Sequence, residues 1–196
     1  MQYSALAETI RGIQIVQEAD SLPTIYCDMD GVLCDFSQGI SNMFKLKSKN
    51  PSEPGPMQMA GYSDAQDWLT APMTDSKWEP IENYPMFWPT LPWTKDGKKL
   101  WSYIEKYNPH ILSAYAPYDK NSRKGKLLWL QRNLRLSDQS RIHLVRRSEK
   151  KVYANGNLLI DDYGRNIKEW KKNKGIPIKY KSASQAIADL RKIGYK

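Results

Sequence analysis

The chain has 196 residues, 40% of them hydrophobic and 26% charged, a balance that fits one globular core with room for a modest insertion and excludes a disordered or fibrous polypeptide. No run of about 18 apolar residues is available to cross a membrane, and Glu8 and Arg11 break up the N-terminus, so no secretory leader is expected. The net charge of +9 is unevenly placed: residues 1–94 hold 5 Lys/Arg against 12 Asp/Glu, and residues 95–196 hold 25 against 9.

A basic half of this kind points either to a phosphorylated or polyanionic partner or to a solvated surface. Cys27 and Cys34 are too few for a disulfide framework and have no companions at zinc-ligand spacing. A reducing, cytoplasmic setting follows from that, and Cys34 reads as a small buried hydrophobe.

Leu6, Ile10, Ile13 and Val16 recur at three- and four-residue spacing, which predicts an amphipathic helix over residues 4–19. After Pro23, the run Thr24–Cys27 reads as a buried strand that ends at Asp28 and Asp30, with Gly31 as the turn signal. Residues 37–97 hold most of the twelve prolines and Trp68, Trp78, Trp88 and Trp93. Pro51, Pro54 and Pro56 preclude regular structure there, so this stretch is expected to be an irregular cap insertion with short helices.

From residue 98 a rhythm of helix and strand returns. Helices are expected over 98–107, 122–134 (with Leu127, Leu130 and Leu134 inward), 166–172 and 184–193. Strands are expected over 110–113, 142–145 and 158–160, with a short edge strand at 176–178. The alternation predicts an α/β fold with a parallel sheet and helices on both faces. The expected organisation is an N-terminal extension (1–22), a core domain (23–36 and 98–196) and a cap (37–97).

Ligands of such sheets sit at the carboxyl ends of the strands. Asp28 with Asp30, Ser113, and Asp161 with Asp162 all fall at such ends. Four carboxylates in one crevice repel one another unless a cation is present, and hard oxygen ligands suit Mg²⁺. Asp28 and Asp30, two residues apart, can face the same side, one as nucleophile and the other as proton carrier. An EF-hand is excluded, because the Asp/Asn and Glu that a calcium loop needs further along are missing. His110 and His143 lie at or within strands and read as structural.

The segment Ile25–Leu33, with Asp28-Met29-Asp30-Gly31-Val32 at its centre, resembles the first motif of the haloacid dehalogenase superfamily of phosphatases. Leu112-Ser113 resembles its second motif and Leu159–Asp162 its fourth. The Asp28–Phe36, Phe87-Trp88 and Leu159–Asn166 segments are most similar to the 5′(3′)-deoxyribonucleotidase branch, including its phage and bacterial members, which would place the protein in a host cytoplasm if it is viral. The resemblance implies a Rossmann-like α/β/α core with a small cap and an Mg²⁺-dependent phosphatase of (deoxy)nucleoside monophosphates.

In that scheme Asp28 becomes aspartyl-phosphate, Asp30 shuttles the proton and Ser113 binds phosphate. The Asp28 side chain, the Asp30 carbonyl and Asp162 hold the metal, with Asp161 alongside. Lys150 takes the place of the motif lysine, Lys126 is the second candidate, and Lys151 is possible if the register shifts by one. Phe36, Phe87 and Trp88 become candidates for stacking on a base. Nucleic-acid ends carrying a 3′-phosphate are an alternative substrate, and an inactive scaffold is a further alternative that the intact residue set opposes. The N-terminal helix could pack on the sheet or join a homodimer.

Overall fold

Short β-branched and apolar runs become five strands: β1 (Ile25–Cys27), β2 (His110–Ala114), β3 (Ile142–Val145), β4 (Leu158–Asp161) and β5 (Ile176–Lys179). The computed structural model describes residues 22–48, 50 and 52–196, so the helix expected over 4–19 lies outside the described residues. All five strands pair in parallel in the order β3-β2-β1-β4-β5, which puts β1 at the centre. Pro177 falls on edge strand β5, where a missing N–H costs the ladder least.

Alternation along β1 separates two cores. Ile25 and Cys27 join Ile111, Leu158 and Ile160 on one face. That face is covered by α5 (Gly97–Ile104), α6 (Ser122–Leu134) and α8 (Ala183–Ile193), through residues such as Leu100, Leu130 and Leu190. Tyr26 points the other way with Leu112 and Leu159 and meets Trp170 of α7 (Gly164–Lys172). The sheet is therefore buried on both sides, as a parallel sheet requires.

Between Asp35 and Pro92 the chain leaves the sheet and returns. The two crossing points are clasped together: Asp35 N–H donates to the Pro92 carbonyl at 2.8 Å, Thr94 N–H to the Leu33 carbonyl at 2.9 Å, and Cys34 bridges Trp93. The excursion holds α1 (Phe36–Met43), α2 (Pro56–Met59), α3 (Ala65–Thr70) and α4 (Asp75–Glu82), and then a 3-10 turn at Trp88–Thr90. These helices are too short to be stable alone, and side-chain caps from Asp35, Asp64 and Thr74 take up their free N–H groups. Phe36, Trp68, Trp78, Phe87 and Trp88 form one aromatic cluster inside them, with ring centroids 5.1–6.3 Å apart.

One helix face differs from expectation. The buried side of α6 is Ser122, Gly125, Lys126, Trp129 and Leu130, whereas Leu127 and Leu134 are only half-buried. Apolar spacing misleads here because a lysine is drawn inward by carboxylates. Gly125 also lets the helix close on the cap: a Cβ at that position would lie 2.4 Å from the Trp88 Cβ.

His110 and His143 stack at 5.2 Å, with His110 Nδ1 and His143 Nε2 hydrogen-bonded at 2.9 Å, in contact with Tyr26. Burial lowers the pKa of both rings, assisted by Arg141 at His110 and by His110 at His143. A histidine with a depressed folded-state pKa gives stability that is present above its unfolded value, near 6.5, and lost as the pH falls below it. Thermal unfolding between pH 7.5 and 5 is therefore expected to lose more midpoint in the wild type than in His110→Gln/His143→Gln. Parallel curves would remove the pair as the source.

Candidate active site

The neighbouring strands β1 and β4 end level with each other, Cys27 beside Ile160, and Asp28 N–H donates to the Ile160 carbonyl at 2.9 Å. This register delivers Asp28, Asp161 and Asp162 to one spot, where one oxygen of each lies within 4.8 Å of the others. The approach depends on Gly31, which sits at φ +76° and on which a Cβ would fall 2.3 Å from Asp162 Oδ2.

Lys150 holds the cluster together. It is carried on the 3-10 turn Arg147–Tyr153, is 3% exposed, and donates from Nζ to Asp28 Oδ2 and to Asp161 Oδ2, both at 2.9 Å. The remaining acceptors of Asp161 are taken by Asn166 Nδ2 and the Tyr163 N–H, each at 2.8 Å. Asp161 is thus fully buried and accepts three hydrogen bonds, which fix its carboxylate in place. Asp28 Oδ1 accepts from the Met29 N–H at 2.8 Å. The Asp162 carboxylate takes no side-chain hydrogen bond among the described residues and is the outermost of the three.

A second, adjoining cluster is built on Lys126 of α6. Its Nζ is fully buried, reaches Ser113 Oγ at 3.0 Å, forms an ion pair with Asp30 Oδ2, and lies 5.1 Å over the Trp88 ring. Cys34 Sγ donates to the other oxygen of Asp30 at 3.4 Å. The structure thus places both candidate lysines at the site: Lys150 on Asp28 and Lys126 on Asp30 and Ser113. Lys151, the register-shifted alternative, is exposed.

Burial and then the neighbouring Asp28 raise the pKa of Asp161, to about 7, against the opposing pull of Lys150. The same two causes raise Asp162. One ammonium does not fully offset three crowded carboxylates, and a hard divalent cation would offset more. The donor set consists of oxygens alone and fits Mg²⁺, with Asp28 and Asp162 having the least engaged oxygens. The Asp30 carboxylate stands apart from this trio, held by Lys126.

A cavity of about 250 Å³ opens beside Asp30, lined by Phe36, Met73, Trp78, Trp88 and the 114–118 loop. Phe36 and Trp88 reach it. Phe87 does not: it packs edge-on behind Phe36, with centroids 5.5 Å apart, and faces a different hollow with Gly39 and Tyr84. Trp78, Met73 and Asn166 were not legible as site residues, since nothing in their local sequence distinguishes a cavity wall or a carboxylate partner from packing. Cys34 had a signal in its four-residue spacing from Asp30 within one tight loop.

Replacing Lys150 by Met would strand two buried carboxylates, and losing one partner of a buried ion pair costs about 3–5 kcal/mol. Denaturant unfolding without divalent cations is expected to show that loss, with part of it recovered on adding Mg²⁺. A change below about 1 kcal/mol would mean that Lys150 does not hold the cluster.

Among solved structures the chain is similar to a hydrolase from Streptococcus pneumoniae TIGR4, at 13% identity and a TM-score of 0.50, over 88% of this chain and 97% of that one. A hydrolase from Pseudomonas syringae aligns at 15% identity and a TM-score of 0.45, over 89% and 91% of the two chains. A haloacid dehalogenase-like family hydrolase from Streptococcus pneumoniae aligns at 13% and 0.42, over 85% and 90%. No family model and no curated protein sequence matches the chain. At 13% identity the likeness to the first of these is one of fold alone, and the fold of this chain is a five-stranded parallel α/β sheet.

Proposed function

We propose that the protein is an Mg²⁺-dependent phosphomonoester hydrolase of the haloacid dehalogenase type, working through an aspartyl-phosphate on Asp28 and acting on nucleoside monophosphates in the manner of a 5′-nucleotidase. The observation that carries this reading is the paired arrangement of Lys150 on Asp28 and Asp161 beside Lys126 on Asp30 and Ser113. Two buried ammonium groups and a hydroxyl then surround the space next to a carboxylate nucleophile, a cradle suited to a phosphoryl dianion.

In the first half-reaction an Asp28 oxygen attacks phosphorus and the ester P–O bond breaks, its electron pair leaving with the alcohol. Asp30 gives that alcohol its proton. In the second, Asp30 takes a proton from water, the water oxygen attacks phosphorus, and the P–O bond to Asp28 breaks to release orthophosphate. The ion pair with Lys126 holds the Asp30 carboxylate beside Ser113. Lys150 holds Asp28 in place and offsets charge as the dianion approaches. Mg²⁺, when bound at Asp28 and Asp162, supplies further charge neutralisation.

The aromatic wall of the cavity supports a flat group on the substrate. In this reading Phe36, the half-buried aromatic of that wall, stacks on a base, a contact worth about 1–3 kcal/mol in single-strand binders. Trp88, 2% exposed between Lys126 and Trp78, backs the wall. The branch resemblance adds the deoxyribonucleotide preference.

Asp28→Asn is expected to abolish turnover of an aryl phosphate while leaving the unfolding midpoint near that of the wild type, and wild-type turnover in that variant would overturn the covalent route. Activity is expected to vanish in chelator and return with Mg²⁺. In a panel of nucleotides and sugar phosphates, Phe36→Leu should raise KM for nucleotides about tenfold while sparing sugar phosphates. A uniform effect across the panel would remove the base from the proposal.

A further inference from the structure

Beyond the carboxylate cluster, Tyr115 of the cavity wall draws arginines to it whose charge the chemistry above does not use. Tyr115 lies two residues past Ser113, where β2 leaves the sheet, and it lines the cavity together with Asp30. The Arg123 guanidinium, one residue into α6, stacks on the Tyr115 ring with its central carbon 3.9 Å from the centroid. Arg146 comes from the neighbouring strand, because Ala114 pairs with Val145 in the β2–β3 register. Arg146 and, after it, Arg123 pull the Tyr115 phenol below its ordinary titration range.

Neither guanidinium has a carboxylate within 4 Å among the described residues: the Glu149 carboxylate accepts from the Arg146 backbone N–H, not from its side chain. Two guanidiniums brought to one phenol repel each other, Glu149 offsets part of the Arg146 charge from outside contact distance, and an anion would relieve the remaining repulsion. Planar guanidinium donors match a phosphate with two parallel hydrogen bonds, and an aromatic ring between them suits a stacked base or sugar. Tyr118, at the same lip of the cavity, is 49% exposed. The excess of Lys/Arg in residues 95–196 has the same sign.

We propose that Arg123, Arg146 and Tyr115 form a second anion site on the rim, which binds a phosphate of the substrate other than the one being removed. The substrate class is then a phosphomonoester with a further phosphate ester beyond the sugar, as in a nucleoside bisphosphate or the phosphorylated end of an oligonucleotide. This rests on the phosphatase reading of Asp28 and its neighbours. It adds that the substrate is read at two charged points on either side of the aromatic cavity.

The test compares the wild type with Arg123→Gln/Arg146→Gln on four substrates: p-nitrophenyl phosphate, a nucleoside 5′-monophosphate, a nucleoside 3′,5′-bisphosphate and a 5′-phosphorylated oligonucleotide. KM is expected to rise about tenfold or more for substrates with the second phosphate, the scale of losing charge-assisted hydrogen bonds, with kcat little changed. The aryl phosphate should be hydrolysed as by the wild type. A KM effect already present with the bisphosphate identifies a mononucleotide ligand, and one confined to the oligonucleotide identifies a nucleic-acid end. Equal losses on all four substrates, or none on any, overturn the second site and leave the phosphatase reading intact.

Calorimetric binding of the bisphosphate and of the oligonucleotide to the Asp28→Asn protein, with and without the two arginine substitutions, separates the claims. If no phosphomonoester is hydrolysed but binding still depends on the arginines, the phosphatase reading falls and the anion site stands. Binding indifferent to the arginines and to added salt overturns the site.

Discussion

The buried ammonium of Lys150, donating to Asp28 and Asp161 together, is the interaction on which the rest of this structure depends. Parallel strands that end level with each other present their following residues to one crevice. Here those residues are carboxylates. Without a cation among them, β1 and β4 would carry mutually repelling charges out of water at the centre of the sheet, at a cost of several kcal/mol per ion. The 3-10 turn Arg147–Tyr153 brings Lys150 in, and Asn166 and the Tyr163 N–H complete the Asp161 shell. Asp161 is thereby fixed, and Asp28 and Asp162 are left with oxygens for a metal and a substrate.

The same logic explains the second lysine. Lys126 could have pointed to solvent, as lysines on helices do, but Asp30 and Ser113 offer acceptors beneath α6 and Trp88 offers the face of its ring. Helix α6 therefore buries a charged residue and half-exposes three leucines, Leu127, Leu128 and Leu134. Gly125 makes this possible by allowing the helix to touch the 3-10 turn of the cap. The cap is fastened at both ends: by the clasp at Asp35 and Thr94 below, and by tryptophan N–H bonds from Trp88 to Asp119 and from Trp129 to the Leu91 carbonyl above. Phe36, Trp78 and Trp88 of its aromatic cluster form one wall of the cavity beside Asp30.

Charge is sorted by depth. The innermost ammonium groups compensate carboxylates, while the exposed guanidiniums of Arg123 and Arg146 gather on Tyr115 with no carboxylate within 4 Å among the described residues. A phosphorylated substrate entering this crevice would move from exposed arginine to buried lysine, each step with fewer competing waters and stronger attraction.

The sequence by itself determined the strands, the parallel α/β architecture and the carboxylates at the strand ends, because β-branched runs, turn residues and helical spacing act locally. It also named both lysines, through their place relative to Ser113 and Asp161. What it could not do was divide their work. That Lys150 serves Asp28 while Lys126 serves Asp30, that Asp161 is saturated while Asp162 is not, and that Phe36 and Trp88 reach the cavity while Phe87 lies behind them, were decided by the tertiary structure alone. Each depends on strand register and on the approach of α6 and the cap to within hydrogen-bond distance. Lys126 and Asp30 stand 96 positions apart and Lys150 and Asp161 stand 11 apart, and no local pattern of residue types encodes the distance between such side chains.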